Sequence, residues 1–423
     1  MKTILLMAYQ ISPTRGSEYA VGWNFTINLA KNNRVFVLCG ASGDHMGDTA
    51  EVENYFKDNP HPNIHLIPIK PSKLANTVNR LNKLGLTPAF YIAYNLWHKQ
   101  VYKIAQSIIS KQQIDVIHHL NPIGFREPGY LWKIDKPFIW GPIGGAKFIK
   151  LGLTNNIPNI HKLFFWLKNI INHVQLSYNK RLCIAVEKSS ELIFCNSEMK
   201  YAFETYLGKT GKIISEQGSN KRLITLNSKK KTFIQLDIVW AGNIRYIKNL
   251  PMLFHILSSI KKQYNWKLHL IGGGEKIKQT KTMALKLNIY DNIIWYGRKS
   301  RNETIDIMSQ CDLHVLSSLS EGNPAVLYEA ISLGIPTISL DQDGMHDILK
   351  NNNGILVPTS TYKKTIKLYA QKIDELIENP KILEELKERT KTLATQVTWE
   401  KKIQQFEAIY EEAILREQNL VSK

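Results

Sequence analysis

What most restricts this chain is the order strand, turn, helix, strand written between Leu313 and Leu340. Leu313, Val315 and Leu316 form a short apolar run of the kind buried in a parallel sheet. Glu321, Gly322, Asn323 and Pro324 then interrupt any regular element. Ala325 to Leu333 has helical composition, Gly334 and Pro336 end it, and Ile335 to Leu340 is the next strand. A turn that opens a helix presents free N–H groups and the positive end of the helix dipole, where an anion such as a diphosphate binds. Glu321 precedes that start and Glu329 follows eight residues later. Inside a helix this is slightly over two turns, a separation that lets both carboxylates project on similar sides.

The same alternation recurs along the chain, whose 423 residues suit two domains of about 200 residues each. Lys2 to Ala8 is an expected strand, followed by a loop holding Arg15, Gly16, Ser17 and Glu18 and a helix from Tyr19. This is a Rossmann-like opening without the G-x-G-x-x-G spacing, which counts against NAD. Ile114 to His118 is another strand, and ligands sit at strand ends in parallel sheets. His118 and His119 are both candidates there, pointing to opposite faces; His119 is preferred, because His118 can still belong to the packed strand. Gly144 and Gly145 make a close-approach loop. Leu192 to Cys195 closes the first half, and Lys221 to Thr232 reads as a linker. Three strand-and-glycine-turn units follow: Asp237–Trp240 with Gly242, Trp266–Ile271 with Gly272 to Glu275, and Ile293–Tyr296 with Gly297 and Arg298.

Ile160, Leu163, Phe164, Leu167, Ile170, Ile171, Val174 and Tyr178 recur at helical spacing, flanked by Lys162, Lys168 and Lys180. Packing against the domain's sheet is the preferred role, lying on an anionic bilayer the other. The aromatic and basic residues between Lys73 and Lys99 read as a core-facing helix pair or as helices that face an acceptor or a membrane surface. The formal charge is +19, divided as +11 up to Asn220 and +8 after it. No single basic tail and no nucleic-acid motif stands out, so phosphorylated ligands or anionic lipid fit the charge better than nucleic acid. No stretch of about 18 apolar residues exists to span a membrane. Cys39, Cys183, Cys195 and Cys311 are scattered without metal or disulfide spacing, giving a cytoplasmic, reduced, metal-free expectation.

Glu321-x7-Glu329 with Ala330, Gly334, Pro336 and the Gly344 to Asp347 turn closely resembles the retaining glycosyltransferases of family four, as do GSEYAVGW after the first strand and WGPIGG at Trp140 to Gly145. The resemblance implies the α/β GT-B fold, two Rossmann-like domains with parallel sheets facing a cleft. It divides the chain into an acceptor-side domain 1–220, a donor-binding domain 221–398 and a helix 399–423 crossing back. It implies a nucleotide-sugar donor, a saccharide or lipid-linked acceptor, bacterial surface polysaccharide as the product, and no cofactor or metal. Peripheral contact with an anionic membrane at the inner face of the cell membrane goes with it. Glu329 would accept from the ribose hydroxyls, as an acceptor-only carboxylate can. Glu321 would position the sugar, and His119 or His118 would stabilise developing charge. Gly16, Lys248, Gly297, Arg298 and the backbone of Gly322, Asn323, Val326 and Leu327 would hold the donor; Ser17, Glu18, Gly144 and Gly145 would line the acceptor side. Relatives carry a cation where this chain has Asn243, and Arg245 is the candidate substitute. A sugar-nucleotide epimerase on the same fold and a non-catalytic binder are the alternatives.

Overall fold

A computed structural model of the chain describes residues 1–41, 49–86, 88–220, 235–274 and 276–421. The expected linker at 221–232 and Glu275 lie outside them. The chain divides into two compact units, one made of residues 1–146, 173–216 and the segment from Trp399, the other of residues 147–172 and 217–398.

The first unit is built on a parallel sheet of β1 (Thr3–Ala8), β2 (Arg34–Gly40), β3 (Ile64–Ile69), β4 (Val116–Asn121), β5 (Phe138–Ile143), β6 (Glu191–Phe194) and β7 (Lys212–Ile213). Their order is β3-β2-β1-β4-β5-β6-β7. Leu6 of β1 lies opposite His118 of β4, and His119 opposite Trp140 of β5. Alternate residues serve two cores. Leu5, Met7 and Tyr9 pack with Trp97, Phe125 and Trp140, whereas Ile4, Leu6 and Ala8 pack with Phe25, Phe406 and Tyr410. Strands covered on both faces read as unbroken apolar runs, which is why TILLMA needs no polar alternation. Helix Trp399–Val421 supplies Phe406, Ile409 and Tyr410 to the second of these cores.

The second unit carries β8 (Leu236–Ala241), β9 (Trp266–Ile271), β10 (Ile293–Gly297), β11 (Leu313–Leu316), β12 (Thr337–Leu340) and β13 (Ile355–Val357), all parallel, in the order β10-β9-β8-β11-β12-β13. A domain boundary at 220 is corrected here. Residues 147–172 belong to this unit because Ile149, Leu153, Ile157 and Phe165 bury themselves in its core with Trp240, Leu253 and Phe254. Polar contacts hold the segment as well: the Asn156 side-chain amide donates to the Tyr362 hydroxyl (2.8 Å), and Lys150 reaches the Thr359 hydroxyl (2.8 Å).

Candidate functional site

In each sheet the chain starts in the middle, winds to one edge, returns and winds to the other. Loops leave the carboxyl ends of the two central strands in opposite directions, and the crevice between them is the general ligand position in such sheets. In the second unit this point lies between β8 and β11.

The loop 242–249 after β8 and the loop 317–324 after β11 brace one another. Leu319 N–H donates to the Ile247 carbonyl (2.8 Å), and the Ser317 hydroxyl donates to the Lys248 carbonyl (3.0 Å). Their side chains then meet, the Lys248 ammonium forming an ion pair with the Glu321 carboxylate. Ser318 also donates to that carboxylate (2.8 Å), and Gln342 holds the Ser318 carbonyl (2.8 Å). The Glu321 N–H is taken by Asp343 (2.6 Å), itself 3.8 Å from the Lys147 ammonium. The Lys248 and Glu321 side chains are only 21 % and 15 % exposed, so their attraction is less screened than it would be at an open surface.

Two glycines permit this closeness. A Cβ on Gly344 would fall 1.8 Å from the Gly322 carbonyl oxygen, so the 322 turn rests directly on the backbone of helix Asp343–Leu349. The expected Gly344–Asp347 turn is therefore a short helix, opened by Asp343 at φ 51°. Gly272 takes φ +146°, and a Cβ there would lie 1.9 Å from the Gly242 carbonyl oxygen, locking the β8 and β9 loops together. The Gly297 carbonyl accepts from Gly272 N–H (2.8 Å), and Arg298 lies over Gly273.

Helix Ala325–Ser332 starts beside the 322 turn. Leu327 is fully buried and Val326 packs on apolar neighbours, so these two residues offer a ligand only backbone. The shared-face expectation for Glu321 and Glu329 is corrected: Glu321 precedes the helix and turns to Lys248, while Glu329, inside it, bonds Arg301 (2.9 Å). Burial pushes the Glu329 carboxyl up and the Arg301 guanidinium pulls it back. Asn243 is exposed at the loop tip. Arg245 is exposed and lines a depression with Tyr246, Lys276 and Gln279 whose walls include neither Lys248 nor Glu321.

In the first unit the corresponding point, between β1 and β4, is filled by its own polar groups. The Asn121 side chain accepts from Gln10 N–H (3.1 Å) and donates to the carbonyls of Gln10 (2.8 Å) and Glu18 (3.0 Å). The Glu18 carboxylate accepts from Ile123 N–H (3.1 Å). Burial pushes its carboxyl up to about 7, Ile123 opposing and Glu216 reinforcing the rise. Gly16 is exposed with open space where a side chain would be, and Ser17, not Gly16, takes the positive φ, 57°. The glycine is thus not demanded by a tight turn. Gly144 is buried, and a Cβ there would press on Ile123 and Cys195. Gly145 takes φ +93° in the same bend.

Both histidines are corrected as well. The strand runs two residues past them to Asn121, which draws both into the cores. His118 is held by the Gly141 carbonyl (2.6 Å) and the Tyr410 hydroxyl (2.7 Å) among Phe25 and Phe406. His119 is 1 % exposed against Trp140 and His98, and burial lowers it to about 3, the weak pull of the Pro128 carbonyl notwithstanding. Neither imidazole is open to a ligand. The sequence reading missed Ser318, Asp343, Arg301 and Lys147. Only Asp343 and Ser318 lay close enough to the Glu321 motif to be found from it.

Residues 225–393 match the family model described as glycosyl transferases group 1. An uncharacterized glycosyltransferase of Haemophilus influenzae is 24% identical over 48% of this chain and 56% of its own length. The lipopolysaccharide 1,6-galactosyltransferase of Escherichia coli is 40% identical over 26% of this chain and 32% of its own. The chain thus spans about half or less of these two relatives. Among solved structures, the apo lipopolysaccharide outer core galactosyltransferase WaaB superposes with a TM-score of 0.64 at 17% identity, covering 97% of this chain and 99% of that one. The Anabaena protein HepE in complex with UDP gives 0.61 at 16% identity, covering 97% and 100%. The likeness runs through both units and shows the GT-B fold.

Proposed function

We propose that the protein, whose residues 225–393 match the model of glycosyl transferases group 1, moves a sugar from a nucleotide-diphosphate donor to a saccharide or lipid-linked glycan with retention at the anomeric carbon, as in family four. The observation that carries this is the Lys248–Glu321 pair, set at the β8/β11 switch point beside the start of helix Ala325–Ser332. A donor diphosphate needs a cation and free N–H groups, and both converge there. On arrival the diphosphate competes for Lys248, which releases Glu321 to accept from sugar hydroxyls while Ser318 keeps it aimed. Glu329 exchanges its Arg301 partner for the ribose hydroxyls. In this reading Lys248 and the loop N–H groups offset the phosphate charge without a metal, and departure and attack share one face of the sugar.

Because HepE was solved with UDP and the Escherichia coli relative is named a galactosyltransferase, UDP-sugars head the donor candidates. The same relative supports a surface-polysaccharide acceptor, which would place the protein at the inner face of the cell membrane. The test is a thermal-shift panel of UDP-, GDP- and ADP-sugars, followed by product analysis with donor alone. One nucleotide series should raise Tm, and donor alone should give only slow hydrolysis. Interconversion of the donor sugar, or no shift with any nucleotide, overturns the proposal.

A further inference from the structure

Helix Asn159–Tyr178 is apolar on two opposite faces. Its inner face is fastened: Phe165 and Leu176 are buried, the Asn169 side chain pairs with both the N–H (2.9 Å) and the carbonyl (3.0 Å) of Ile149, and Asn172 donates to the Lys147 carbonyl (2.9 Å). With that face fixed, the other must point outward. Leu163, Phe164, Leu167, Ile170, Ile171 and Val174 form a single stripe there at three- and four-residue spacing, each more than a third exposed, with Phe164 at 61%. The sheet-packing role expected for these residues is therefore corrected. A contiguous exposed apolar stripe of this kind marks a surface that meets a membrane or another partner.

The charge says which partner suits it. No Asp or Glu occurs between Asp135 and Glu187, while Lys168 borders the stripe, Lys162 lies in the same helix and Lys180 follows the last turn. Trp166 and Tyr178 of the same helix are also exposed, residue types that settle at the level of lipid headgroups. An apolar stripe accompanied by lysines and free of acids is the pattern of a helix lying flat in an anionic interface. No helix among the described residues is long and apolar enough to cross a membrane. We propose that helix 159–178 docks the protein on an anionic bilayer, its axis in the membrane plane and the stripe sunk among the acyl chains. This deepens the membrane placement given above and rests on it for its biological sense, although the helix carries it physically.

The test is co-sedimentation of the full chain with vesicles of phosphatidylcholine alone or mixed with phosphatidylglycerol. Wild-type protein should bind the mixed vesicles, and far less at high salt. Phe164→Glu with Ile171→Glu should weaken binding at least tenfold while leaving Tm and donor-induced stabilisation unchanged, since both side chains are exposed. Lys162→Ala with Lys168→Ala should narrow the preference for the anionic vesicles. Undiminished binding by the Phe164/Ile171 variant overturns the proposal. So does a wild-type dimer that this variant dissociates without any vesicle binding. Wild-type protein that binds no vesicles while a nucleotide sugar still raises its Tm sinks the docking alone; wild-type protein that binds vesicles while no nucleotide sugar raises its Tm sinks the transferase reading alone.

Discussion

The two sheets share a strand order yet treat the gap between their central strands in opposite ways. At β1/β4 the backbone is stitched shut by one asparagine amide and one glutamate, and the nearby histidines face inward to aromatic cores. At β8/β11 the loops brace each other through backbone and hydroxyl contacts, which leaves a lysine and a carboxylate free to meet in a partly solvated position. Topology supplies the gap in both cases. Chemistry comes from whether the polar groups there are spent on the fold or held in reserve.

This contrast can be broken most directly at Lys248. Lys248→Ala should lower kcat/KM for the nucleotide sugar by about 10²–10³-fold, the usual cost of removing a preorganised charge partner, as measured by release of nucleotide diphosphate. A loss below tenfold would put the second gap on a par with the first. Glu329→Gln comes next and should cost about tenfold or more in donor affinity, abolishing most of the donor-induced rise in Tm. Unchanged affinity would remove Glu329 from the donor site.

A smaller effect separates the first gap. Glu18 titrates at about 7 in the folded unit against an ordinary 4.5, so the folded state holds an extra proton between these values. Its contribution to stability therefore declines as pH rises through that window. Buried His118 and His119 are lowered and act the other way below about 6.5, so the comparison is wild type against Glu18→Gln. The Tm difference, variant minus wild type, should grow from pH 5 to pH 7.5; a flat difference would contradict a buried carboxyl at the β1/β4 gap. Least affected should be His119→Phe. An imidazole whose ring nitrogens find no good partner can be replaced by an apolar ring at little cost, and kcat should stay within about twofold. A hundredfold fall would return the histidine to the chemistry.

Much of this was legible beforehand, for identifiable reasons. The apolar runs and glycine turns announced parallel strands, whereas Lys248, Glu321 and Glu329 were singled out by the resemblance to family four. What failed depended on contacts distant in sequence. Whether a strand continues past His119 is decided by its neighbours Met7 and Trp140. The outward turn of Phe164 follows from two asparagines anchoring to residues 147–149. The Arg301 partner of Glu329 lies 28 positions away on another helix.

The unequal sharing of the chain between its two units has a practical corollary. Residues 147–172 complete one core from within the amino-terminal half, and the last helix completes the other from the far end. No single cut in the gene can yield two self-sufficient pieces. A fragment ending near 216 would carry an orphaned apolar segment and lack the aromatic lid of its own sheet, while its counterpart would expose Trp240 and Phe254. Expressed apart, both should come out insoluble, and only co-production of the two would rescue them.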